Sequence, residues 1–265
     1  MHLNVPTRET GKRRRRISEA MAPQRWSNLL GPIREASTRN NPADEGVEGP
    51  TETERLFFAL AQAVEQRDLH TASHCERLAF IAVALGIVSG LDRNELLVLY
   101  RGGYMHDIGK VGIPDSILFK PGKLTPKEWD VMRTHTTRGV EICRHVKSLA
   151  PVVPIIRHHH ERWDGSGYPD GLAGELIPLP ARLVQIGDIY DAIISPRPYK
   201  EPISPVKALR IIREETARGW RDPRVVELFL KLHKDVISKS DQFFVGSDRS
   251  LEAMRAALSR LQLRA

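Results

Sequence analysis

Residues 78–88 are apolar almost without a break, and this run restricts the fold more than any other stretch of the chain. A membrane-spanning helix needs roughly 18 or more apolar residues, and the run ends at Ser89 and Gly90, short of that length. A segment that is apolar all round has no face to offer water, so it is expected as a helix buried in a core.

Around it the sequence supplies partners of the same kind. Thr51 and Glu54 have capping-box spacing, and Leu56, Phe57, Leu60, Ala61 and Val64 follow at helical period. A second helix carries His70, His74, Leu78, Ile81 and Leu85, with Gly86 as its expected stop. Asp92 with Glu95 caps a third helix that runs to His106. Residues 112–124 form a loop marked by Pro114, Pro121 and Gly122, after which Thr125, Pro126 and Glu128 supply N-cap, N1 proline and N3 glutamate of the next helix. Further helices are expected after Thr137, over 180–194, from Ser204 and Pro205, from Asp222 and Pro223, and over 251–261. Strand-type alternation is almost absent and no repeat is visible, so the fold class is all-α.

A length of 265 residues is ample for one continuous core. The formal charge of +7 is unevenly spread: residues 1–50 hold nine Lys or Arg against six Asp or Glu, a net of +3. That stretch has no sustained apolar period and reads as a basic, disordered tail or linker, with residues 12–16 a solvated charge run rather than a nucleic-acid contact. The first residues contain no signal-peptide segment, which leads us to expect a cytoplasmic protein without a membrane span. Cys75 and Cys143, neither in a CxxC pair, cannot build a disulfide framework.

Histidine and aspartate carry the chemistry. The dipeptide His106–Asp107 ends an apolar helical run, and Lys110 follows one turn later as a point cation suited to a phosphate oxygen. His70 and His74 are four apart, as a metal clip on one helix face requires. His135 and the run His158, His159 and His160 add imidazoles. Asp188 and Asp191 are helical neighbours on an otherwise apolar segment, where an aspartate without a partner is costly. Nitrogen and carboxylate donors without thiolate point to catalytic iron, manganese or a similar ion rather than structural zinc. The number of donors exceeds one tetrahedral ion, which implies at least two ions with an aspartate as natural bridge. Paired ions of this kind activate water and stabilise in-line displacement at phosphorus. The HHHE run lacks metalloprotease spacing.

These residues, with Arg67, Asp68 and Thr71, Pro114 and Asp115, residues 120–124, the stretch from His159 through Gly167, Tyr168 and Pro169, and Gly187, Tyr190 and residues 197–200, resemble the HD-GYP family of cyclic di-GMP phosphodiesterases within the HD hydrolase superfamily. The resemblance spans about residues 52–230. It implies an HD-type helical bundle with a GYP loop over 51–238, followed by a C-terminal helical extension over 239–265. It also implies hydrolysis of cyclic di-GMP to pGpG, and in some members on to GMP, by a metal-bridged hydroxide.

Carried over by position, His74, His106, Asp107 and Asp188 would hold one ion, and Asp107 would bridge to a second held by His135, His159 and His160. Asp107 and Lys110 would be the catalytic residues, Lys110 contacting phosphate with a proton-donor role, and Tyr168, Arg197 and Lys200 would contact substrate. Where members with a third ion have a glutamate, four residues before the first ligand, this chain has His70. Two divalent ions, iron or manganese, are therefore expected, with His70 leaving room for a third. His158 is expected in the second shell or facing solvent.

Partners implied are cyclic di-GMP, a GGDEF-type diguanylate cyclase or sensory and response-regulator proteins, and a second copy of the chain in a homodimer; nucleic acid is disfavoured. Two rival readings are a non-catalytic cyclic di-GMP sensor or interaction module, and an HD hydrolase acting on another nucleotide or cyclic dinucleotide.

Overall fold

A computed structural model describes residues 52–67, 74–195, 202–235 and 251–260, all within one compact unit, Thr38–Leu263. The expected tail over 1–50, His70, Arg197 and Lys200 lie outside the described residues. The described elements are helices: α1 Glu52–Arg67, α2 His74–Val88, α3 Arg93–Met105, α4 Asp115–Leu118, α5 Pro126–Arg133, α6 His135–Cys143, α7 Val153–His158, α8 Leu179–Ile194, α9 Pro205–Ala217, α10 Pro223–Asp235 and α11 Leu251–Arg260. Short 3-10 turns occupy Ile108–Gly112, Lys147–Val152 and Gly174–Leu176. Extended pairing among the described residues is limited to one isolated antiparallel bridge between Asp164 and Ala173. The all-α reading holds, and no helix among the described residues is long and apolar enough to cross a membrane.

The apolar run does form the central helix. Residues 78–86 of α2 are all buried, and α2 packs against α3, α8, α10 and α11. Leu78, Phe80, Ile81 and Leu85 are almost wholly removed from water, each contributing about 1.5–3 kcal/mol through the hydrophobic effect. Gly86 is not the stop. A side chain there would bring its Cβ within 2.5 Å of Leu99 Cδ1 and 2.7 Å of Leu96 Cδ2, so this glycine admits α3 instead. The helix ends two residues later, and the chain turns at Gly90, whose φ of 77° suits glycine.

Local signals place several helix starts correctly. Asp92 Oδ1 accepts from Glu95 N at 2.9 Å while Glu95 Oε2 accepts from Asp92 N at 2.8 Å, a complete capping box for α3. Thr125 and Glu128 make the same reciprocal pair for α5. Asp222 Oδ1 accepts from Arg224 N at 2.9 Å at the head of α10.

Other expectations shift. The 112–124 loop contains the single-turn α4, and α6 starts at His135 instead of after Thr137. On α1 the buried stripe is Phe58, Ala61 and Val64, whereas Leu56 and Leu60 are exposed. The terminal helix α11 buries Leu251, Met254 and Leu258 in the same core as α2 and α3.

Candidate metal centre

His106 closes α3 as its C-cap, and Asp107 heads the 3-10 turn that follows. The turn carries Lys110 back over the same carboxylate, with Nζ 2.8 Å from Asp107 Oδ2. Gly109 makes room for the next element: a Cβ there would lie 1.9 Å from the His135 carbonyl oxygen, so only glycine lets α6 approach this closely. Asp107 consequently faces imidazoles from three elements. His106 Nε2 is 3.2 Å from its Oδ2, and His135 Nε2 and His159 Nε2 are 3.3 and 3.7 Å from its Oδ1. Across the site, His74 Nε2 stands 3.6 Å from Asp188 Oδ1, and His106 Nε2 stands 4.0 Å from the same atom.

Each imidazole is oriented from behind. His106 Nδ1 donates to the Gly103 carbonyl at 3.0 Å, His135 Nδ1 to Met132 at 2.7 Å and His159 Nδ1 to Ile156 at 3.0 Å. His74 Nδ1 donates to Asp191 Oδ2 at 2.5 Å, and Arg77 Nε holds the other oxygen of that carboxylate at 2.6 Å. In the neutral ring, donation through Nδ1 leaves Nε2 as the lone-pair nitrogen facing inward, the arrangement typical of histidine ligands to metals.

Seven of the expected residues thus gather into two donor groups, Asp107 with His135, His159 and His160, and His74 with His106 and Asp188. Within each group the donor atoms lie within 4.8 Å of one another. The Nε2 atoms of His106, His135 and His159 and Oδ1 of Asp107 are buried and make no hydrogen bond among the described residues. Leaving such atoms without a partner costs about 1–3 kcal/mol each. Their convergence fits divalent cations that accept nitrogen and oxygen ligands. The nearby Cys75 does not join them: burial, with Glu65 beside it, pushes its thiol pKa up, and Sγ faces the Tyr104 carbonyl.

The electrostatics differ across the site. Burial disfavours a charge on His106, but Asp107 and Asp188 outweigh it and raise the imidazole to about 9. On His135 burial prevails over Asp107, with His159 and Lys110 adding to it, and the pKa falls to about 4. His160 is likewise held neutral by burial and by its neighbours His159 and His135. Asp107 stays ionised despite burial because Lys110 and His106 stand beside it.

A cavity of about 670 Å³ opens over this floor, with His159, His160, Tyr168, Asp188, Arg162 and Arg221 among its lining. The Tyr168 ring stacks on His160, centroids 4.9 Å apart, and the Arg133 guanidinium lies 5.4 Å from the Tyr168 ring centre. The Tyr168–Pro169 peptide is cis. His158 is turned away, as expected, towards Glu161 and Asp170. Those acids are already engaged: Arg157 holds both Asp170 oxygens at 2.7 Å, and Glu161 accepts from the Asp170 and Leu172 amides.

Four residues at or near the site were not singled out as site residues from sequence. Asp191 anchors His74 instead of facing the cavity, as described above. Glu65 brings Oε1 to 3.7 Å from His74 Nε2; its side chain is 10% exposed and this oxygen has no hydrogen-bond donor among the described residues. Its position was readable in principle, since Phe58, Ala61 and Glu65 stand at i, i+3 and i+7 on one helix face. Arg162 lies within the marked stretch from His159 to Pro169 but was not assigned a role, and Arg221, also on the cavity wall, carried no local signal.

The HD domain family matches residues 59–225. The chain belongs to the HD domain family. This HD domain protein is 41% identical over 192 residues to the cyclic di-GMP phosphodiesterase response regulator RpfG of Xanthomonas campestris pv. campestris, a match covering 72% of this chain and 50% of that one. It is 39% identical over 181 residues to the 3'3'-cGAMP-specific phosphodiesterase 2 of Vibrio cholerae, covering 68% and 34%. A crystal structure of a cyclic GMP-AMP specific phosphodiesterase of V. cholerae superposes with a TM-score of 0.57 at 23% identity, covering 76% of this chain and 53% of that chain, and supports the fold. The chain spans half or less of the length of these two curated relatives.

Proposed function

We propose that this HD domain hydrolyses one phosphodiester of cyclic di-GMP, releasing pGpG, and that residues 51–238 form the catalytic unit. The observation that carries the reading is Asp107: its Oδ1 faces His135 and His159 of one donor group, and its Oδ2 faces His106 of the other and Lys110 at 2.8 Å. The nitrogen and carboxylate character of the donors suits two divalent ions, iron or manganese, which when bound would supply Lewis acidity for water activation and charge neutralisation at phosphorus.

The chain's own residues do the rest. His74, His106 and Asp188 would hold one ion and His135, His159 and His160 the other, with Asp107 available to both. Lys110 balances the charge that grows on the phosphoryl oxygens and provides a proton towards the departing ribose oxygen. Tyr168, whose hydroxyl is kept protonated by burial and by Asp107, orients the substrate above His160. A second reading, cleavage of a mixed cyclic dinucleotide, is favoured by the V. cholerae relative specific for 3'3'-cGAMP.

The test is anaerobic turnover by the purified chain reconstituted with Fe(II) or Mn(II), followed by chromatography, beside a His106→Ala/Asp107→Ala variant. Conversion of cyclic di-GMP to pGpG or GMP is expected, with a loss of about 1,000-fold or more in the variant. Intact cyclic di-GMP in the presence of two bound metal equivalents would overturn the reading, and faster cleavage of 3'3'-cGAMP would favour the second one.

A further inference from the structure

Two arginines on the cavity wall take no part in the chemistry above. The Arg162 guanidinium lies 4.0 Å from the centre of a Trp220 ring, and its Nη1 makes a 3.4 Å approach to Ser166 Oγ. It forms no ion pair with a carboxylate among the described residues. Arg221 enters the same cavity from the turn between α9 and α10, its side chain 11% exposed and its Nε donating to Glu215 Oε2 at 2.9 Å. The Trp163 amide donates to the Trp220 carbonyl at 3.1 Å, which ties the segment bearing Arg162 to the turn bearing Arg221. Burial lowers the Arg221 pKa, Glu215 opposes this, and the neighbouring Arg162 charge lowers it further.

Arg221 is thus paired with Glu215 while Arg162 has no carboxylate within ion-pair distance among the described residues, and both line a cavity of about 670 Å³ together with Asp188 and His160. Like charges drawn together away from water repel unless an anion joins them. A guanidinium clamped by an aromatic face or an ion pair also loses little freedom when it meets a phosphate, whose oxygens match its planar fork. A cyclic dinucleotide carries two phosphodiesters, and the floor engages only the one being cut.

We propose that Arg162 and Arg221 bind the second phosphate of a cyclic dinucleotide and so select substrates with two phosphates over single diesters. The proposal rests on the phosphodiesterase reading and assigns this role to residues other than Arg197 and Lys200.

The experiment uses the full metal-loaded chain and its Arg162→Gln, Arg221→Gln, Arg162→Lys and Arg221→Lys variants, with thermal melts to establish folding. Cyclic di-GMP and bis(p-nitrophenyl) phosphate are compared as substrates, and cyclic di-GMP binding is measured by calorimetry at several salt concentrations. Each Gln variant is expected to raise KM for cyclic di-GMP about tenfold, the scale of one lost charge-assisted contact, with a smaller change in kcat. The preference over the single diester should fall by the same factor, binding should depend less on salt, and the Lys variants should recover part of the loss. Equal losses on both substrates would mark a structural role and overturn the proposal, as would an unchanged KM. Arg-dependent binding of cyclic di-GMP without cleavage would sustain this subsite while sinking the hydrolytic reading; turnover unaffected by the variants would do the reverse.

Discussion

The floor of the cavity is set by helix ends and the wall by loops, and the two are held by different forces. On the floor, His106, His135 and His159 each donate a ring nitrogen to a backbone carbonyl three residues earlier, so helix-end geometry aims the opposite nitrogen inward. On the wall, Arg162 and Tyr168 are held mainly by ring faces, 4.0 Å from Trp220 and 4.9 Å from His160. Hydrogen bonds to backbone are directional and tolerate little displacement, whereas stacking and cation–π contacts weaken gradually with distance. A floor residue should therefore behave as part of an all-or-none constellation, and a wall residue should tune affinity in steps.

Three variants would break or sharpen that contrast. Lys110→Met removes the cation 2.8 Å from Asp107 and should lower kcat for cyclic di-GMP by about 100- to 1,000-fold; a change confined to KM would move Lys110 from the floor's behaviour to the wall's. Asp191→Asn keeps the shape but removes the charge that anchors His74 Nδ1 and Arg77. It should weaken metal binding about 10- to 100-fold, read as metal retained after dialysis against a graded chelator, and unchanged metal content would show that His74 needs no anchor. Asp92→Ala deletes the α3 capping box at its exposed start. It should cost about 1 kcal/mol, a fall in Tm of about 2–4 °C for a domain of this size, with kcat unaltered. A matching drop in kcat would mean that stability of α3 as a whole, rather than its His106 end alone, positions the floor.

Much of the floor was legible before the fold. Capping boxes at Asp92 and Thr125 act over three residues and survive any context. The Asp188 and Asp191 pair followed from helical spacing, and both do flank His74, one on each ring nitrogen. Their division of labour was not legible, because a three-residue spacing puts two carboxylates on one face without saying which meets the metal side. The phase of α1 failed for a related reason. Leu56, Phe57, Leu60, Ala61 and Val64 make a plausible apolar stripe, of which packing buried Ala61 and Val64, but it added Phe58, left Leu56 and Leu60 exposed and drew Glu65 to the site.

By itself, then, the sequence determined the all-helical class and the buried central helix and marked the candidate donor residues, since periodicity, caps and residue chemistry are properties of a few neighbouring side chains. Tertiary structure alone decided which atoms converge. His74 and Asp191 are 117 positions apart, and Arg162 and Arg221 come to line one cavity where the Trp163 amide reaches the Trp220 carbonyl. Contacts of that range depend on how helices pack around α2, and no local pattern encodes them.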